Sequence, residues 1–405
     1  MVAGSLIGFF TQSLMSYLGP LYFPAQGLPK DAWETWVFYG IIAWVLGSPL
    51  AGALGNHLGE RATWALGLLT YIAGVIVVLC LHGQSAATAA GLIAAAVLIG
   101  IAGALIWIGS ISMTQAVPAE RRGLANGLMM AAMGLGATLA PAAGRLLVGL
   151  GSHLWGTDGA RAFYLPFLVL AGLSAACAAL LWGWGQSPGG ETGAGVHGGG
   201  ISWVQALSVA RTRVFLTIIL PLSLFSSMLF QSWNAYLPYR AKEGHIGLIV
   251  GSADHGWVAL TTLGFAMQLV GGLLVGLLAG KRISIRIAAL LLAAFAAFGL
   301  WVGLAPSAFW LFPACGLFEM TRQFMRWLQT GYVSELVPEG VRPTAIGLSV
   351  MLSGVGGVLF TFVMRRVQSP NSETFLTWLP FVVAAGIGLV GAGWLLGVKK
   401  PVKEN

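Results

Sequence analysis

The sequence predicts an all-α membrane protein: twelve transmembrane helices arranged as two pseudo-symmetric six-helix bundles. Three observations predict it. Asp, Glu, Lys and Arg together make up 8% of the 405 residues, against about a quarter in a soluble domain, which excludes an ordinary aqueous fold. Hydrophobic residues reach 57%, mean hydropathy is +0.83 and glycine contributes 58 residues, the mixture of helices that pack closely inside lipid. Runs long enough to cross a bilayer, about 20 mostly apolar residues each, occur twelve times.

Cutting the chain at polar clusters, prolines and charges places the spans at 5–25, 35–55, 62–82, 86–112, 123–149, 162–183, 212–238, 254–279, 284–304, 307–331, 343–365 and 374–396. The first span lacks a positive n-region before it and reads as a retained membrane helix, not a cleavable signal. Asp31 and Glu34 stand before the second with the spacing of a capping box, and Asp254 starts the eighth, so all three are expected to cap helices. Between the sixth and seventh spans runs GQSPGGETGAGVHGGG, residues 185–200, too poor in apolar surface to fold and expected to be a flexible linker. Residues 201–213 mix Trp203, Val204 and Leu207 with Ser and Arg, a pattern expected to lie on the membrane surface. The expected domains are therefore a first bundle over 1–184, the linker with its interfacial helix over 185–211, a second bundle over 212–398 and a tail over 399–405.

An even number of spans puts both termini on one side. Of the 21 Lys and Arg, twelve fall in the loops and tail of that side, among them Arg61, Arg121, Arg122 and Arg342, and six on the other, including Lys30, Arg240 and Arg365. The bias makes the termini cytoplasmic and the location the cell membrane. The net charge of +8 is spread over short loops without forming a patch, so nucleic acid is not expected as a partner and the lipid bilayer is. Cys80, Cys177 and Cys315 lie in apolar runs as expected small buried hydrophobes. None of the six histidines falls in the interior of a span, His82 and His255 standing at span ends, and no nucleophile or metal constellation exists, so neither an enzyme, a cofactor nor a metal is expected.

The two halves repeat. At a shift of 220, residues 117–136 match 337–356 at eight of twenty positions: Val117, Pro118, Arg122, Ala125, Gly127, Leu128, Gly134 and Gly136. At a shift of 219, Gln12, Ser13, Tyr17 and Leu18 meet Gln231, Ser232, Tyr236 and Leu237. After the second span comes GALGNHLGER, from Gly52 to Arg61.

On these features the chain resembles the major facilitator superfamily over essentially its whole length. The loop between helices two and three carries that family's G-x-L-a-D-r-x-G-r-k motif at Gly52, Leu54, Gly59 and Arg61, and departs at Asn56 and His57, where the family has Asp and Arg. The resemblance implies a transporter whose bundles rock about a central site, with this loop in the gating machinery. A second motif resembles the helix-five signature of drug:proton antiporters. Gly127, Gly136, Pro141 and Gly144 keep its spacing while Ala140 and Arg145 replace two glycines, which implies export; generic helix packing explains the same residues.

Charges at bilayer depth are costly and their default reading is functional. In helix ten, Glu319, Arg322, Gln323 and Arg326 fall at i, i+3, i+4 and i+7, on one face. Burial disfavours a charged Glu319 and the arginines favour it, so a conformational change that alters their spacing would move a proton. A permanent Glu319–Arg322 ion pair is the competing reading. One carboxylate against two arginines favours an anionic substrate. Helices one and seven offer Gln12, Tyr17, Gln231, Trp233, Asn234 and Tyr236 as hydrogen-bonding or stacking partners for a small molecule. The expectation is a monomeric, proton-coupled secondary transporter of a small organic solute, leaning to export. A proton symporter importing a sugar, nucleoside or organic anion, and a non-transporting receptor on the same fold, are the alternatives.

Overall fold

A computed structural model describes residues 2–81, 83, 85–115, 117, 119–156, 161–183, 208, 211–213, 215–243, 253–278, 284–336, 342–368 and 376–398. The described residues form twelve α-helices and no strand: α1 (Val2–Ala25), α2 (Ala32–Leu58), α3 (Glu60–Leu79), α4 (Ala86–Gln115), α5 (Ala119–Trp155), α6 (Tyr164–Gly183), α7 (Leu220–Glu243), α8 (Ala253–Leu278), α9 (Ile285–Leu304), α10 (Ala308–Leu336), α11 (Arg342–Val367) and α12 (Leu379–Gly397). A π-helical stretch, Phe215–Ile219, leads into α7. The expected linker 185–200, the stretch 201–207 and the tail 399–405 lie outside the described residues.

Hydrocarbon offers no partner to a backbone N–H or C=O, so a long apolar run satisfies itself as a helix. Ten of the twelve helices are long and apolar enough to cross a membrane. The other two, α1 and α10, carry more polar residues, and Ser5, Thr11, Ser13, Glu319, Thr321, Arg322 and Gln323 are buried against protein. Helix ends follow local chemistry. Gly59 separates α2 from α3 with a φ of 81°, a conformation strained for any other residue. The Ser284 side chain accepts the Ile287 N–H and caps α9, and Pro380 occupies the first turn of α12.

Three expectations need correction. The fifth helix runs over 119–155, not 123–149, because charges such as Arg121 end an apolar run without ending a helix; His153 therefore lies inside its last turn. Cys80 is exposed, since it caps the end of α3 where packing stops, whereas Cys177 and Cys315 are buried. Asp31 and Glu34 do not cap α2: Asp31 is the N-cap residue but makes no side-chain cap hydrogen bond, and both carboxylates turn to other partners described below. The Asp254 side chain lies outside the described residues.

The helices pack as a repeated set. α1 lies on α5 as α7 lies on α11, α2 on α4 as α8 on α10, α3 on α4 as α9 on α10, and α3 on α6 as α9 on α12. The two sets meet through α5 against α8 and through the equivalent pair, α11 against α2. The glycines shared between the halves explain why that segment repeats. A methyl group on Gly134 would strike the backbone of Leu269 in α8, and one on Gly354 would strike Val45 in α2. Two residues on, Gly136 faces the Leu6 carbonyl of α1 and Gly356 the Leu224 carbonyl of α7. Each repeated glycine thus makes a close helix approach equivalent to that of its counterpart, Gly134 and Gly354 across the two halves and Gly136 and Gly356 within one. Gly136→Val is expected to cost about 1–3 kcal/mol by forcing α1 and α5 apart, seen as a lower thermal midpoint of the detergent-solubilised protein.

Candidate functional site

The polar residues of α1, α7, α8 and α10 converge on a central cavity of about 320 Å³ between the two helix sets. Its wall draws on α1, α2 and α4 from the first half and on α7, α8, α9, α10 and α11 from the second. α10 supplies the charge. Glu319 is fully buried, and its Oε1 accepts from Arg322 Nη1 at 2.6 Å. Its Oε2 accepts from Gln268 Nε2 of α8 at 2.5 Å, and Gln268 Oε1 in turn accepts from Gln323 Nε2 at 3.0 Å. The helical spacing that puts these groups on one face of α10 therefore builds a single network joining α10 to α8.

The network is layered. Arg322, Arg326 and Gln268 line the cavity, while Glu319 and Gln323 sit behind them. The Arg322 guanidinium lies 4.1 Å from the centre of the Phe230 ring. Arg326 lies 5.1 Å from the Trp107 ring of α4 and 5.4 Å from Phe230, which carries a cation of the second half onto an aromatic face of the first. A guanidinium over aromatic rings directs its N–H donors within its own plane, in the fork that matches a carboxylate.

Gln12, Gln231, Trp233 and Asn234 also line the cavity. Asn234 Nδ2 donates to Gln231 Oε1 at 3.3 Å, and the buried Gln12 Nε2 has no hydrogen-bond partner among the described residues, leaving a donor for a solute. Tyr17, Tyr236 and Gln323 stand outside the wall. The Tyr17 carbonyl accepts from Trp257 Nε1 at 3.2 Å, and the Tyr236 hydroxyl donates to Glu34 at 2.7 Å.

The sequence reading missed most of the aromatic wall. Trp33, Trp36, Trp44, Trp107, Trp233 and Trp257 all face the cavity, together with Phe230 and Phe265. Trp33, Trp36, Gly40 and Trp44 recur at helical spacing along α2, a stripe that marks one face without saying whether it meets lipid, core or cavity. Gln268 and Gln329 were also missed, the latter donating to Ser226 Oγ of α7.

The motif residues take packing positions. A side chain added at Gly127 would meet Gly276 of α8, at Gly136 the backbone of α1, and at Gly144 the Leu14 and Tyr17 side chains. Pro141 lies within α5, and none of the four lines the cavity. Gly52 is buried in α2, and Arg61 is exposed at the start of α3. The Asn56 side chain lies outside the described residues. Arg145, which replaces a glycine of the helix-five motif, is exposed on α5.

The chain matches the family described as Major Facilitator Superfamily over residues 1–361. Among curated proteins none matches it. Among solved structures, the proton:xylose symporter XylE bound to 6-bromo-6-deoxy-D-glucose is similar with a TM-score of 0.69 at 14% identity, covering 98% of this chain and 93% of that one. The E. coli fucose:proton symporter FucP is similar with a TM-score of 0.63 at 16% identity, covering 97% of this chain and 98% of that one.

Proposed function

The chain belongs to the major facilitator superfamily, and on that premise we propose that it is a proton-coupled secondary transporter of a small organic anion. The observation that carries the reading is the layered charge of the cavity. Arg322 and Arg326 form part of the wall, while the carboxylate beside them, Glu319, lies behind it. A solute entering the cavity meets two cations on that face, with no carboxylate among the described lining residues and with tryptophan rings around them for a planar or hydroxylated body.

Proton coupling follows from sharing one arginine. Arg322 bonds Glu319, so a solute carboxylate that draws Arg322 toward the cavity weakens the pairing of Glu319, and a proton on Glu319 offsets that loss. Linkage is reciprocal: protonation of Glu319 releases Arg322 for the solute. Anion and proton then favour each other's binding, which is the behaviour of a symporter. The two halves, 1–184 and 212–398, would rock about this site in a cell membrane with both termini cytoplasmic and the protein monomeric.

A second reading keeps the fold and changes the solute. The amides of Gln12, Gln231, Asn234 and Gln268 beside tryptophan faces suit a neutral polyhydroxylated molecule, the class named for the xylose and fucose symporters. Export, which the helix-five resemblance implies, is the alternative direction.

Matched ligand pairs test the choice. Glucuronate is expected to raise the thermal midpoint more than glucose, and orotate more than uracil, with about 2.7 kcal/mol of stabilisation at a hundredfold excess over the dissociation constant. Arg326→Gln is expected to remove the preference for the carboxylate member. Equal shifts within each pair would select the neutral solute.

A further inference from the structure

Glu34 is a second buried carboxylate, 1% exposed, far in sequence from the α10 network. Sequence spacing read it as a helix cap, but the structure turns it across the boundary between the halves. Its Oε1 accepts from the Tyr236 hydroxyl of α7 at 2.7 Å and lies 4.0 Å from Arg365 Nε of α11. Arg365 also lies 3.9 Å from Asp31, donates to Thr35 Oγ1 and sits over the Phe38 ring. Glu34 Oε2 is buried without a hydrogen-bond partner among the described residues.

The surroundings form a latch at the end of the bundle where α1 gives way to α2. Trp33 Nε1 donates to the Asn234 carbonyl at 3.1 Å, Tyr239 donates to the Lys30 carbonyl at 3.2 Å, and Trp257 donates to the Tyr17 carbonyl. Each bond joins the first half to the second. Pro20 and Pro24 interrupt the hydrogen-bond ladder of α1 beside it, and Pro238 does so in α7. Asn234 and Trp33 also line the cavity, so the latch and the solute space share a wall.

We propose that Glu34 is a proton-binding site that controls opening of this end. When ionised, Glu34 holds Tyr236 and Arg365 and so ties α2 to α7 and α11. A proton on Oε2 removes the attraction to Arg365 and adds a donor that the closed end leaves unpaired. Separation of the helices hydrates that hydroxyl, so acid favours the open end. Among the described residues, the titratable and charged groups facing Glu34 are Tyr236 and Tyr239 on α7, Arg365 on α11, and Asp31 beside its own helix. The inference rests on the alternating-access reading, but its test needs no solute.

The test is a spin-label distance between Ala25→Cys, at the end of α1, and Val367→Cys, at the end of α11, in full-length protein carrying Cys80→Ala; both positions are exposed. The ratio of long to short distances is expected to rise on acidification by up to about tenfold per pH unit, the limit for one proton. Adding Glu34→Gln should make the ratio high and insensitive to pH. Arg365→Gln should invert the response, because protonation then removes an unpaired buried charge from the closed state. A pH slope that survives Glu34→Gln, or that keeps its sign in Arg365→Gln, overturns the proposal. A flat response in protein that still transports overturns the latch alone and leaves the transport reading standing.

Discussion

Replacing Glu319 by Gln is expected to abolish accumulation of solute driven by a pH gradient in proteoliposomes while leaving solute exchange largely intact. Driven accumulation needs a group that takes a proton in one state and releases it in another, and glutamine cannot. Exchange needs only binding and rocking. The substitution preserves shape, and the two Glu319 oxygens meet Arg322 and Gln268 separately, so the amide carbonyl still accepts from Arg322 while the amide NH2 donates to Gln268 once that side-chain amide turns its oxygen toward it. The guanidinium of Arg322 then lacks an ionised partner and becomes more available to an anion, so apparent affinity for a carboxylate is expected to rise as its dependence on pH falls. Loss of exchange together with driven flux and fold would show instead that Glu319 and Arg322 form a permanent structural pair.

The largest effect on stability is expected from Arg322→Met. It removes the charged partner from a fully buried carboxylate and leaves Glu319 with Gln268. Breaking a buried pair from one side costs about 3–5 kcal/mol, chiefly through the charge left behind. The cost should shrink when Glu319→Gln is added, because the double variant removes both charges of the pair and strands neither. Thermal unfolding of both single variants and the double in one detergent measures the coupling. Additive losses would mean that the pair contributes nothing beyond its two separate side chains.

Much of the fold was legible because lipid imposes a simple rule: an apolar run of sufficient length is a helix. The repeated segment around Gly127 and Gly347 was legible too, and the close approaches of Gly134 and Gly354 give its physical reason. Helix ends were less so, since a window of apolar residues measures hydrocarbon thickness while α5 continues past it at both ends. In the site, Glu319, Arg322 and Arg326 stood out because charge is scarce in the spans. The tryptophans did not, because an aromatic on an apolar helix has the same sequence pattern whether it meets lipid, core or cavity. Gln268 was a lone amide whose partner lies 51 positions away on another helix. Glu34 was hidden by its own position: a carboxylate in a first helical turn matches a cap motif, and only the approach of α7 and α11 reveals another use.

The most direct test of the central claim is luminal pH in proteoliposomes, followed with a trapped dye as orotate or glucuronate, whichever stabilises the protein more, is added outside. Symport through Glu319 predicts that the added anion acidifies the lumen with the parent protein and fails to do so with Glu319→Gln. Anion uptake without proton movement, or acidification that persists in Glu319→Gln, would contradict it.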